Sequence, residues 1–256
     1  LLATIAKTVG IGLLAGGSLV GAEATSSFLV RLERSAGEPV RGDLLSVAAD
    51  TIRILIDGEP HSFPVAEVRR VVREEARAER HQPVRVVTRD GSHLAGDDFL
   101  QTADRCLIGG EAGPIEIPAE RIARVAWLGE REPEPAWLAA VPAEPAADLV
   151  VVRREDGHTF VECAVSGVDG DAVTVVLDGE TIPVKRGKVA GIVWLRAPAP
   201  RPAGPVVAVV GGRLTVERIR WSPEAFLLDE AIRLPPAALL SIDYAAGRTL
   251  PLATLD

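Results

Sequence analysis

The sequence predicts an all-β chain built from small tandem units. Three observations carry that reading. Apolar and polar residues alternate in short runs, Asp-Gly pairs separate the runs, and the pattern recurs along the chain. In residues 50–59, Ile52, Ile54 and Ile56 alternate and run into Asp57-Gly58. In residues 171–180, Val173, Val175 and Leu177 do the same before Asp178-Gly179. A period of two marks a strand with one buried face. Asp-Gly between such runs is the strongest short hairpin signal.

Each unit reads as about five short strands. An apolar-rich strand opens the first three, at 28–33, 84–88 and 149–153. The turns that follow are Ala36-Gly37, Asp90-Gly91 and Asp156-Gly157. A longer strand comes next, with Gly42 or Gly96 inside it, and an internal glycine marks a bulge or bend. A further strand, a hairpin and a short strand then lead to an anchoring proline. Pro64, Pro118, Pro183 and Pro235 are these anchors. Proline lacks a ladder donor and belongs at a strand end or edge. After it come Val68 and Val71, Ile122 and Val125, and Leu239 and Ile242. In the third copy Val189 and Ile192 arrive two residues later, which reads as an insertion after Pro183. The fourth copy begins near Pro205 and turns at Gly211-Gly212. The expected units are 25–73, 84–128, 148–195 and 205–244. A sheet that closes on itself hides its edges.

Between the units lie a charged stretch at 73–83, a Pro/Glu/Ala linker at 129–147 and a Pro-rich linker at 196–204. Such compositions make semi-stiff spacers. The short first break predicts that units one and two pack as a pair. The proline linkers predict more independent third and fourth units. At the front, residues 1–24 read as a signal peptide. Lys7 precedes an apolar stretch at 8–20, and Ala22-Glu23-Ala24 has the small-x-small form of a cleavage site. That places the protein outside the cytoplasm: periplasmic, cell-surface or secreted. With no methionine at position 1, the sequence is expected to start inside a longer reading frame. In an oxidising compartment Cys106 and Cys163 could pair; the alternative is two small buried strand residues.

Acidic residues number 36 against 28 basic ones, for a net charge of −8. That argues against nucleic acid, which selects clustered positive charge. No apolar run reaches the ~20 residues that span a bilayer. His61, His81, His93 and His158 lack zinc-protease spacing. Asp97 and Asp98 are adjacent, so on a strand they point to opposite faces. These readings leave no catalytic residue, no metal set and no cofactor, and predict a non-enzymatic chain. The candidate contact residues are aromatic. Trp127 and Tyr244 stand nine residues after their prolines, and Trp194 matches once the insertion is allowed for; the first copy has Arg73. An aromatic there could stack on a sugar or grip a partner, or it could pack between units. Trp137 is a docked residue or a partner anchor, and Trp221 belongs to the core.

This strand layout resembles the small SH3-like or Sm-like β-barrels over nearly the whole chain after residue 24. RNA binding, general among Sm-like proteins, is not carried over to an acidic, exported chain. Residues 243–256 (Asp-Tyr-Ala-Ala-Gly-Arg-Thr-Leu-Pro-Leu-Ala-Thr-Leu-Asp) resemble the lead-in to the NPCBM carbohydrate-binding module of large exported planctomycete proteins. That resemblance implies a scaffold or adaptor region of a larger cell-surface protein, with 245–256 as the tail before a downstream domain. The expected partners are the neighbouring repeats, that domain, and a cell-wall glycan or protein. The alternatives are a glycan-binding module and an accessory part of a secreted glycan-active hydrolase.

Overall fold

A computed structural model describes residues 28–75, 81–129 and 134–246. The signal-peptide reading of 1–24 and the tail beyond Ala246 lie outside the described residues. The described chain is all-β, as the alternation predicts, and its helical elements are short 3-10 turns.

The first segment holds β1 (Leu29–Arg34), β2 (Val40–Val47), β3 (Thr51–Ile56), β4 (Glu59–Pro64) and β5 (Val68–Arg73). The second holds β6 (Val84–Thr88), β7 (His93–Gly96), β8 (Asp98–Gln101), β9 (Arg105–Gly109), β10 (Ile115–Pro118) and β11 (Ile122–Trp127). The third holds β12 (Asp148–Arg154), β13 (Gly157–Val168), β14 (Ala172–Leu177), β15 (Glu180–Lys185) and β16 (Val189–Val193). The fourth holds β17 (Val206–Val209), β18 (Gly212–Thr215), β19 (Ile219–Ser222), β20 (Ala225–Leu228), β21 (Ile232–Leu234) and β22 (Leu239–Asp243).

One pairing scheme recurs. In the first segment the antiparallel order is β4-β3-β2-β1-β5. The third repeats it as β15-β14-β13-β12-β16. In the second and fourth the long strand is broken, into β7 and β8 and into β18 and β19. Where it stays whole, its register shifts between Leu44 and Ser46 and between Val165 and Gly167. The bulge therefore lies beyond Gly42. Gly42 and Gly96 serve close approach instead: a Cβ on either would strike the carbonyl oxygen of Leu55 or Gly109.

The structure also moves the third anchor. Thr51 pairs with Pro64, and its counterpart Ala172 pairs with Lys185. Residues 50–73 thus match 171–194 without a gap. Lys185 takes the anchoring place, at φ −51° and ψ 126°, against −58° and 133° for Pro64. There is no insertion, and Pro183 stands where the first segment has Ser62.

Ladders between segments join the strands into one antiparallel network. β5 pairs with β22, with Val71 opposite Ile242. β11 pairs with β16, with Val125 opposite Ile192. β10 meets β21 at Glu116 and Arg233. Each of these pairs sets a repeat position against its own counterpart. The segments therefore follow each other in the order first, fourth, second, third. The expected pairing of first with second is replaced by first with fourth and second with third. The reason is an edge effect: a small sheet buries little surface, and the donors and acceptors on its outer strand need partners.

The residues on these local two-folds form the core. Val71, Val125, Ile192 and Ile242 are fully buried. The linker at 129–147 is docked as well. Its 3-10 turn Ala136–Ala140 lays Trp137 over Ala126, Leu128, Val151 and Ala190. Gly191 is there because a Cβ would collide with that indole.

Two substitutions test this packing by chemical denaturation. Ile192→Ala is expected to cost about 2–5 kcal/mol, the range for emptying a buried aliphatic site. Lys185→Pro restores the anchor at a φ that proline already prefers, and is expected to add about 0.4–1 kcal/mol.

Candidate functional site: the junctions between segments

The second–third junction gathers three aromatics. Trp127 closes β11, Trp194 follows β16, and Phe99 of β8 lies between them. The Phe99 ring centroid is 6.1 Å from that of Trp127 and 6.2 Å from that of Trp194. Trp127 is 7% exposed and Trp194 is 3% exposed. The Arg186 guanidinium covers the other face of this cluster, 3.4 Å from the Trp127 centroid, a cation–π contact. Burial, and then the neighbouring Arg153 charge, pull Arg186 down to about 10. Arg153 donates to the Trp127 carbonyl at 2.6 Å and to that of Val189. Arg196 donates to the carbonyls of Ala119 and Ile122 across the junction.

The first–fourth junction uses the same positions with different side chains. The Tyr244 N–H donates to the Arg69 carbonyl at 2.9 Å, just as the Trp194 N–H donates to Ala123 at 2.9 Å. Tyr244 is 7% exposed. Arg73 occupies the place of the missing fourth aromatic. It donates to the Ala237 carbonyl at 2.7 Å and lies 5.4 Å from the Phe28 ring centroid. Phe28 continues into Trp221 and Phe226, at 5.0 and 5.9 Å. Trp221, half-buried, stacks on Phe226 at 4.4 Å.

The structure thus brings Trp127 and Trp194 together and leaves Tyr244 at a separate junction. A sugar ring stacks on an aromatic face open to water, and these three side chains are buried against protein. The recurrence legible in the sequence is that of an interface position.

A polar lock joins the second and fourth segments. Arg121 binds Asp90 at 3.2 Å and Asp229 at 3.1 Å. The other Asp229 oxygen accepts the N–H groups of Glu217 and Arg218. Burial alone would raise the Asp90 carboxyl. Its bonds from Thr88, Ser92 and Arg121 outweigh that and hold it below the ordinary carboxylate range. No local sequence signal marks this lock, because Asp90 and Arg121 stand 31 residues apart and Asp229 comes from another repeat.

Cys106 and Cys163 are free, buried thiols. By repeat position Cys106 replaces the core residue Ile52, and burial pushes its thiol up to about 12. Among the described residues, no three His, Cys, Asp or Glu side chains gather as a metal set. No described helix is long and apolar enough to cross a membrane. No protein-family model, curated protein or solved structure matches the chain.

Two measurements follow from these environments. The lowered Asp90 carboxyl contributes stability above its unfolded-state pKa and loses it as pH falls through the folded value. Thermal stability is therefore expected to drop on acidification below about pH 4, and Thr88→Val, which removes the leading bond to that carboxyl, to flatten the drop; an unchanged acid profile would contradict this account of Asp90. A thiol reagent at neutral pH is expected to label Cys106 only after denaturant is added, because the thiolate is the reactive form.

Proposed function

We propose that the chain is a non-catalytic scaffold or adaptor of an exported, cell-surface protein, presenting a downstream domain from a firm support. The observation that carries this reading is the shared-ladder array of four segments, first–fourth–second–third. Neighbours in a stacked array restrain one another, so such an array resists bending between its parts. In this reading each segment is a small barrel of the SH3-like or Sm-like kind. The order β4-β3-β2-β1-β5, the bent second strand and the 3-10 turn before the last strand support that assignment.

The two ends of the described chain support the adaptor role. Phe28 packs on Trp221 and Phe226, and the N–H groups of Tyr244 and Ala245 both donate to Arg69. The described residues therefore start and end at the same first–fourth junction. In this reading the downstream domain is presented from that junction.

The test is cooperativity. Tryptophan fluorescence and far-UV circular dichroism are expected to report one coincident unfolding transition. Small-angle scattering is expected to give a single compact particle. Separate transitions for the two halves, or the profile of a flexible string, would overturn the scaffold reading. Cell-wall polysaccharides are expected to leave the buried tryptophan fluorescence unchanged.

A further inference from the structure

Three strands have one ladder partner each among the described residues: β19, which lies beside β2 inside the array, and the two terminal strands, β4 on the first segment and β15 on the third. β4 and β15 are the same repeat strand as β10 and β21, which pair with each other inside the molecule. We propose that β4 is the surface on which a second copy of this chain docks, β4 against β4, in the register that joins β10 to β21.

The choice of strand follows from where the prolines fall. β3 and β4 are joined by the two-residue turn Asp57-Gly58, with φ of 50° and 85°, as in a type I′ hairpin. The closing pair Ile56–Glu59 is then the hydrogen-bonded kind, and bonded pairs alternate along the ladder. Glu59, His61 and Phe63 aim their N–H groups at β3, while Pro60, Ser62 and Pro64 face outward. The two prolines cost the inner ladder nothing. Ser62 keeps the only N–H on the outward edge of β4.

β10 carries the same arrangement. Pro114 just before the strand, Glu116 and Pro118 follow the same alternation, and Glu116 is the residue that pairs with Arg233. On β15 the outward residues are Thr181, Pro183 and Lys185, so proline stands at the pairing position itself. β15 therefore lacks an N–H at the position through which β10 and β21 pair, and β4 keeps one there at Ser62. Flanking prolines do not prevent pairing at the central residue, since Glu116 pairs between Pro114 and Pro118.

The occupant is a second copy because the register is self-complementary. With Ser62 opposite Ser62, Pro60 faces Pro64 and His61 faces Phe63 of the other copy, twice over. That is the isologous geometry of a two-fold dimer. It continues the rule inside the chain, where the paired outer strands place a repeat position on its own counterpart. Ser62 is exposed, so no rearrangement has to precede docking.

Sedimentation velocity on the full chain over a concentration series, with hydrogen exchange at the Ser62 amide, tests the proposal. A reversible dimer is expected, with Ser62 protection rising with concentration. Ser62→Pro copies Pro183, which the third segment accommodates at the same position. It is expected to keep the thermal midpoint and give a monomer. Ser62→Arg and Ser62→Glu are each expected to weaken the dimer about fivefold through like charges across the two-fold. Mixing those two variants is expected to restore it, reproducing the Glu116–Arg233 pair. A chain that stays monomeric, or a dimer that survives Ser62→Pro, would overturn the proposal. So would a Ser62 amide protected in the monomer, which would mean that the chain's own residues cover β4. None of these outcomes bears on the unfolding cooperativity that tests the scaffold reading.

Discussion

The unpaired outer edge of the last strand in each segment is the constraint on which the molecule is built. That strand is short, follows a 3-10 turn and pairs on its inner side with the first strand. Its outer N–H and C=O groups would otherwise bond to water. Here the last strand of another segment supplies the partners, twice, at β5–β22 and β11–β16. Joining like edges requires a local two-fold. A two-fold sets one residue against its own counterpart, and that residue must be apolar to be buried. Val71, Ile242, Val125 and Ile192 satisfy this condition together.

The two junctions then solve their outer faces differently. At the second–third junction the outer face is lined by Ala126, Ala190 and Gly191, and Trp137 covers it. At the first–fourth junction the outer face is polar: Arg70 stands opposite Asp243 and donates to Ser241 at 3.2 Å. The longer linker belongs with the apolar face, since only there is a cover required. The linker after the third segment is docked too. Ala199 donates to the Arg89 carbonyl, and Arg89 donates back to Ala197. The chain thus crosses the second segment before it builds the fourth, which is why the spatial order differs from the sequence order.

Local features were legible in the sequence, and long-range ones were not. The alternation of Ile52, Ile54 and Ile56 marked a strand, and Asp57-Gly58 and Asp178-Gly179 marked hairpins because few residues tolerate their positive φ. Proline as an anchor was readable for three segments and misleading for the third. There Lys185 adopts the anchoring dihedrals without a ring, and Pro183 offered a false match two residues early. Which segment pairs with which was out of reach, because edge pairing leaves no period in the sequence. The Arg121 lock was invisible for the same reason: Asp90 and Asp229 are more than a hundred residues apart and each looks like an ordinary turn residue.

The strand-end aromatics show how a repeat can be legible in the sequence while the choice between ligand contact and packing between units is not. Position by position, Arg73, Trp127, Trp194 and Tyr244 are one site seen four times. If that site bound an external ligand, its faces would be open and its chemistry uniform. Instead its faces are covered and its chemistry varies with the neighbour. Where Trp127 and Trp194 meet, Phe99 fills the gap between them and Arg186 covers Trp127. Where Tyr244 meets the first segment, the partner position is Arg73, which reaches the Phe28 ring and a carbonyl of the opposing 3-10 turn. A guanidinium lies against an aromatic ring at each junction, Arg186 on Trp127 and Arg73 on Phe28. What the four copies hold in common is therefore a place at the junctions between segments, and the sequence recurrence is the trace of those junctions.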